Sequence, residues 1–249
     1  MTGFYDRLAP FYHLIFEDWD ASVARQGEQL SAIIATEWPS ARRILDVSCG
    51  IGTQAIGLAL RGYPVHASDV SEQAIARART EARARNAAIP FSVCDVRAAH
   101  AQHGSGFDVV ISADNSLPHL PTDEEILFAL EQMTACLAPG GGCLVTVRDY
   151  AREPRGRNLV KPYGVRVEKG HRYLLFQVWD FEGEHYDLTF LIVDEDLATR
   201  EVVTHALRSA YYAISTDRLC ALMRQAGLRD VRRLDGAFYQ PVLIGTRVP

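Results

Sequence analysis

Three aspartates and one glycine turn carry the first chemical signal in this chain. Asp46 lies within the apolar run ILDV, and Ser48, Cys49, Gly50, Ile51 and Gly52 follow directly. Asp69 lies near the end of PVHASDV, and Asp95 near the end of IPFSVCDV. A carboxylate at the end of a second strand accepts hydrogen bonds from ribose hydroxyls and repels a 2′-phosphate. A carboxylate after a third strand can accept from the amino group of adenine. Gly50 and Gly52 remove side chains where a ligand would approach the backbone, and Val70, Val96 and Ala113 adjoin the same strand ends. The turn follows neither G-x-G-x-x-G nor G-x-x-x-x-G-K-[ST], and no lysine comes after it, which argues against a pyrophosphate or triphosphate cradle. Each aspartate alone reads as a helix cap or turn residue. Three in register with one glycine turn point to a nucleoside.

Two further polar residues fall at the same strand ends. Arg148 follows the fifth apolar run, and a guanidinium there can grip a carboxylate bidentately. The alternative is an ion pair with Asp149 or another nearby acid. Asn115 follows the fourth run and suits contacts to an amine, a carboxylate or the nucleoside, with a turn cap as the alternative. His119 is read as a structural hydrogen-bonding residue ahead of a general base.

The elements that must position these residues are legible from periodicity. Residues 22–36 have helical spacing, and RRILDV, PVHASDV, IPFSVCDV, FDVVISADN and GGCLVTVRDY read as strands separated by helices. Ser71 is a plausible N-cap for the helix that follows the second strand. Strands alternating with helices imply right-handed crossovers and a parallel sheet. After Tyr150 the pattern changes to four extended segments with turn signals at Lys169-Gly170 and Glu182-Gly183, an antiparallel meander. A helix and two strands close the chain. The expectation is an α/β fold: a doubly wound, seven-stranded Rossmann-like sheet with an antiparallel β insertion after strand five. Its parts are an aromatic N-terminal lid and helix (1–38), a cofactor-binding core (40–150), the insertion (151–213), and the final helix and strands (214–249).

This ordered set of motifs resembles the class I S-adenosylmethionine-dependent methyltransferases over roughly residues 40–150. ILDVSCGIGT is similar to their first motif, with Ser48 in place of its first glycine, and HASDVS, CDVR and FDVVISADNSLPHL are similar to the next three. A narrower resemblance is to the glycine and sarcosine N-methyltransferases. It rests on Asn115-Ser116, on Arg148-Asp149-Tyr150, on LRSAYY with Tyr211 and Tyr212, and on the position of the β insertion. The chain departs from the animal enzymes in lacking their long N-terminal extension, so their tetramer is not carried over, and a monomer or small homo-oligomer is expected. The resemblance implies S-adenosylmethionine as cofactor. It makes Tyr5, Tyr12 and Trp19 of the aromatic N-terminal segment site candidates, and Arg25 a partner for the methionyl carboxylate. Tyr212 and Tyr239 are the residues expected to line the substrate cavity, with Tyr12, Asn115 and Arg148 completing the catalytic set.

The bulk properties fit that reading. The 249 residues carry a formal net charge of -5, which argues against a nucleic-acid partner. The arginines at 77, 79, 83 and 85 read as a solvated helix face interrupted by Glu81. Five scattered cysteines with no C-x-x-C pair support neither a metal nor a disulfide framework and fit a reducing compartment. No signal peptide or membrane span is expected, so the assignment is cytoplasmic. The expected activity is N-methylation of a small amine or amino acid such as glycine or sarcosine. Methylation of a heteroaromatic ring nitrogen or a hydroxyl of a secondary metabolite is the alternative, and a non-catalytic nucleoside-binding module the distant one.

Overall fold

The computed structural model describes residues 2–248. Its main sheet has seven strands: β1 (Ile44–Asp46), β2 (Val65–Asp69), β3 (Phe91–Val93), β4 (Phe107–Ser112), β5 (Leu137–Thr146), β10 (Leu228–Leu234) and β11 (Val242–Arg247). Their spatial order is β10-β11-β5-β4-β1-β2-β3. The first five run parallel, and β11 lies antiparallel between β5 and β10. The order reverses between β1 and β4, so the loops leaving these two strands diverge and open a crevice at their carboxyl ends.

Helices α2 (Trp19–Glu37), α3 (Thr53–Ala59) and α4 (Glu72–Ala84) belong to the first half of this sheet, and α5 (Ala99–His103), α6 (Asp123–Cys136) and α7 (Thr216–Gln225) to the second. Capping sets where they start: the Asp18, Ser71, Thr122 and Ser215 side chains each accept a backbone N–H of the first turn. The Ser71 cap is as expected from the sequence. Helix α2 begins three residues earlier than its periodicity suggests, because Asp18 supplies the cap. Helices α2 and α3 touch backbone to backbone at Gly27 and Gly57. A Cβ on Gly27 would lie 2.5 Å from the Gly57 carbonyl carbon, a separation no side chain tolerates.

The insertion is a separate antiparallel sheet, β6 (Leu159–Glu168), β7 (His171–Glu182), β8 (His185–Asp196) and β9 (Val202–Tyr212), in sequential order. Lys169 and Gly170 both adopt positive φ at the first hairpin, and Gly183 does so at the second. One face of this sheet (Leu175, Trp179, Tyr186, Leu188, Phe190, Leu207) joins the core formed under β4 and β5. A short helix α1 (Thr2–Leu8) and a 3-10 turn at Tyr12–Ile15 run between the two sheets. Arg7 holds the Ala206 carbonyl on one side, and Asp6 accepts from Ser71 Oγ at 2.6 Å on the other. Arg77 on α4 and Arg85 at its C-cap both pair with Glu81. All five cysteines are free and buried. Among the described residues no helix is long and apolar enough to cross a membrane, and no cluster of His, Cys, Asp and Glu could hold a metal ion.

Candidate active site

The loops leaving β1 to β4 surround a cavity of about 310 Å³, within the size range of small-molecule sites. Gly50, in the left-handed region at φ +52°, donates its N–H to Asp69 Oδ2 at 2.8 Å, and Ser71 N donates to Oδ1 at 2.9 Å. Two backbone donors thus fix the Asp69 carboxylate in the cavity wall. Burial pushes its pKa up, opposed by these hydrogen bonds. Ser48 Oγ meets Ser112 Oγ at 2.8 Å and ties the glycine loop to the end of β4. Val70, Cys94, Val96 and Leu120 give the cavity apolar sides.

Asp95 sits at the rim with its carboxylate gripped by Arg97 at 2.6–3.0 Å, and that guanidinium holds its pKa low. Asp46 lies beneath the loop and outside the lining. It is fully buried, its Oδ1 accepts Ser48 N at 3.2 Å, and its Oδ2 has no partner among the described residues. Burial pushes its pKa up to about 7.

A second, smaller cavity of about 70 Å³ lies beyond Tyr5 and Tyr12, which line both spaces. Its walls are aromatic: Tyr163 from β6, Trp179 from β7, Tyr186 and Phe190 from β8, and Tyr211 from β9. Its polar groups are Asp114, Asn115, Arg148 and Gln177. Arg148 lies with its guanidinium carbon 4.8 Å over the Trp179 ring and its Nη1 3.2 Å from Glu153. Its Nε is buried without a partner among the described residues. Asn115 holds this edge together. Its Oδ1 accepts Arg148 N at 3.0 Å, and its Nδ2 donates to Tyr150 Oη at 2.8 Å. Asn115 therefore brackets the ends of β4 and β5 while lining the small cavity.

Burial raises the phenol pKa of Tyr5, Tyr12 and Tyr211 well above the ordinary value, so all three remain neutral donors. Tyr5 Oη meets His119 Nε2 at 2.6 Å. Burial pushes the His119 pKa down to about 3. The imidazole is neutral, orients Tyr5, and is in contact with the Tyr211 ring at 3.9 Å between centroids. This agrees with a structural hydrogen bond for His119.

Ser48, Gly50, Asp69, Val70, Asp95, Val96 and Tyr12 line the larger cavity, and Tyr12, Asn115 and Arg148 the smaller. Besides Asp46, six other expected residues lie outside the linings of both cavities. Trp19 is buried under the glycine loop, with Nε1 donating to Thr53 Oγ1 at 2.9 Å, and serves packing. Arg25 lies exposed on α2, bonded to Ser22 Oγ at 3.0 Å, because the start of that helix turns it outward. Gly52 and Ala113 shape the loops from outside the lining, Gly52 as the N-cap of α3 at φ +95°. Tyr212 faces away from the small cavity: it stacks on His185 at 5.0 Å and donates to Asp123 at 3.0 Å.

Strand alternation gives the inward place to Tyr211, stacked on Tyr186 at 5.2 Å. Tyr239 is 53% exposed and reaches the site only through its hydroxyl, which donates to Asp114 at 2.5 Å. Asp114, Tyr163, Gln177, Trp179, Tyr186, Phe190 and Tyr211 line the small cavity without having been singled out as site residues from the sequence. The Asp-Asn pair after strand four was the available signal for Asp114.

Residues 44–141 match a family described as "Methyltransferase domain". The chain is similar to a glycine/sarcosine N-methyltransferase of Parasynechococcus marenigrum, at 31% identity over 63% of this chain and 53% of that protein. It is similar to a glycine N-methyltransferase of Rattus norvegicus, at 31% identity over 43% of this chain and 41% of that protein. The chain thus spans about half the length of the curated relatives it matches. Among solved structures, an amino pentose methyltransferase from Micromonospora echinaspora superposes with a TM-score of 0.80 at 21% identity, over 96% of this chain and 95% of that one. The two share a fold.

Proposed function

We propose, on the premise that residues 44–141 carry a methyltransferase domain of the class I S-adenosylmethionine-dependent kind, that the chain methylates the amine of a small amino acid. Glycine and sarcosine are the first acceptors to test. One observation carries the choice of acceptor: Arg148 lines a small aromatic cavity, and its buried Nε has no partner among the described residues. Buried donors are almost always satisfied, and a substrate carboxylate matches a guanidinium in charge and geometry. The relatives named for glycine and sarcosine methylation support the same reading.

The larger cavity fits the cofactor. The Asp69 carboxylate is fixed by two N–H donors and keeps further lone pairs for ribose hydroxyls. Gly50 leaves its backbone uncovered, and Val70, Val96 and Leu120 offer apolar surface for a base. S-adenosylmethionine supplies, when bound, a methyl group activated as a sulfonium. The chain's own residues supply position and exclusion of water. Arg148 anchors the acceptor carboxylate, and Asn115 fixes the Arg148 backbone. Tyr5 and Tyr12, neutral and at the junction of the two cavities, order the space between donor and acceptor. Good alignment alone is worth roughly 7–11 kcal/mol of barrier.

The aromatic walls would also enclose a planar heteroaromatic acceptor, the second reading. The 70 Å³ volume and the charged Arg148 and Asp114 favour the amino acid. S-adenosylhomocysteine release, measured across amino-acid, amine and heteroaromatic acceptors, tests the proposal. Turnover confined to acceptors without a carboxylate refutes it.

A further inference from the structure

Resting on the amine-methylation reading above, we propose that Asp114 is the catalytic proton acceptor for the substrate's ammonium group. Asp114 lines the small cavity alongside Arg148, so the cavity presents one anion and one cation, as a zwitterionic amino acid requires. Two side-chain donors, Tyr239 Oη at 2.5 Å and Gln240 Nε2 at 3.3 Å, converge on its Oδ1. Oδ2 takes neither of these donors, and the Tyr12 hydroxyl, which lines the same cavity, stands near the carboxylate. Gln240 is itself oriented, its Oε1 accepting from Thr146 Oγ1 at 2.9 Å, and Asp114 N donates to the same Thr146 oxygen at 2.7 Å. The residue adopts φ +58°, which turns the end of β4 toward the cavity.

The groups facing Asp114 come from every element around it: Arg148 after β5, Tyr163 on β6, Tyr12 and Tyr5 from the N-terminal segment, and Tyr239 from the β10–β11 loop. Burial pushes its pKa up, while Tyr239, Arg148, Gln240 and Tyr12 oppose that shift. The result is a better match to an amine than an exposed aspartate offers.

The step balances. The carboxylate takes a proton from R–NH3⁺, giving R–NH2 and a neutral carboxylic acid. The nitrogen lone pair then forms the N–CH3 bond as the S–CH3 bond breaks, and its electron pair stays on sulfur. The product leaves as R–NH2⁺–CH3, and Asp114 returns its proton to solvent.

The test is Asp114→Asn, which keeps the shape, keeps an oxygen for Tyr239 and Gln240, and tolerates positive φ. With glycine or sarcosine at neutral pH, kcat/KM should fall by about 10²–10⁴. The acid limb of the profile should move toward the ammonium pKa of the free acceptor. With aminooxyacetate, which carries a carboxylate but an amine already neutral at that pH, the variant should match the wild type. Tyr239→Phe removes a hydrogen bond that favours the charged carboxylate, and should shift the acid limb to higher pH. An unchanged profile in Asp114→Asn, or an equal loss on both acceptors, overturns the proton-acceptor role alone. Failure of the wild type to methylate any amine overturns the underlying reading and this role with it.

Discussion

Replacing Arg148 with alanine separates the acceptor site from the cofactor site. The guanidinium borders the 70 Å³ cavity and is absent from the lining of the 310 Å³ one. Truncating one partner of a buried, hydrogen-bonded charge pair costs binding about 2–5 kcal/mol. At about 1.4 kcal/mol per factor of ten, KM for glycine or sarcosine should rise roughly 30- to 4,000-fold. The fold should survive. Arg148 contributes a cation–π contact with Trp179 and an ion pair with Glu153, but Lys161 lies 4.9 Å over the same ring and 2.6 Å from the same carboxylate. The net stability loss should be about 1 kcal/mol, visible in urea unfolding. Calorimetry with S-adenosylhomocysteine should give a Kd within about twofold of wild type, as expected where no contact is removed. Weakened cofactor binding with an unchanged acceptor KM would refute the division of labour between the cavities.

The remaining predictions concern the glycine loop and its surroundings. Ser48→Gly loses the hydrogen bond to Ser112 Oγ at 2.8 Å and should bind cofactor nearly as well. Ser48→Leu fills the cavity and should abolish binding, and equal affinity by calorimetry would overturn the role of this turn. Asp46 and His119 should impose opposite pH dependences on stability. The raised Asp46 pKa makes the folded state hold a proton that the unfolded chain releases, so its contribution falls by about 4 kcal/mol as pH rises from 4 to 7. The depressed His119 pKa makes the unfolded chain the better proton binder, so its contribution is complete above 6.5 and lost as pH falls toward 3. The two slopes oppose each other between about pH 4 and 6.5. Asp46→Asn should therefore gain stability over wild type at pH 8, with the gap closing toward pH 4. A gap that stays constant in denaturation curves across that range would contradict the buried-carboxylate reading.

The sheet was readable because each parallel strand is an apolar run bounded by a turn, and Ser71 marks a helix start chemically. Asp69, Gly50 and Asp95 were readable for a related reason: strand ends in this topology converge on one edge. The misplacements arise where one residue of phase decides the outcome. Tyr211 and Tyr212 have identical side chains, and only the pairing of β9 with β8, Tyr211 opposite Tyr186, sets which one enters the cavity. Trp19 and Arg25 sit near the start of α2, and the Asp18 cap fixes the rotation that buries one and exposes the other. Asp114 escaped notice because its role depends on Tyr239 and Gln240, more than a hundred residues away in sequence.

The most direct test of the central claim is the fate of a labelled methyl group. The chain is incubated with S-adenosylmethionine carrying a trideuteromethyl group and a panel of amino acids, amines and heteroaromatic compounds, and the products are analysed by mass spectrometry. The label should appear on the nitrogen of a small carboxylate-bearing amine, and should be lost from that product in Arg148→Ala at subsaturating acceptor. Label found only on oxygen or a ring nitrogen, or on no acceptor while the cofactor binds, would contradict it.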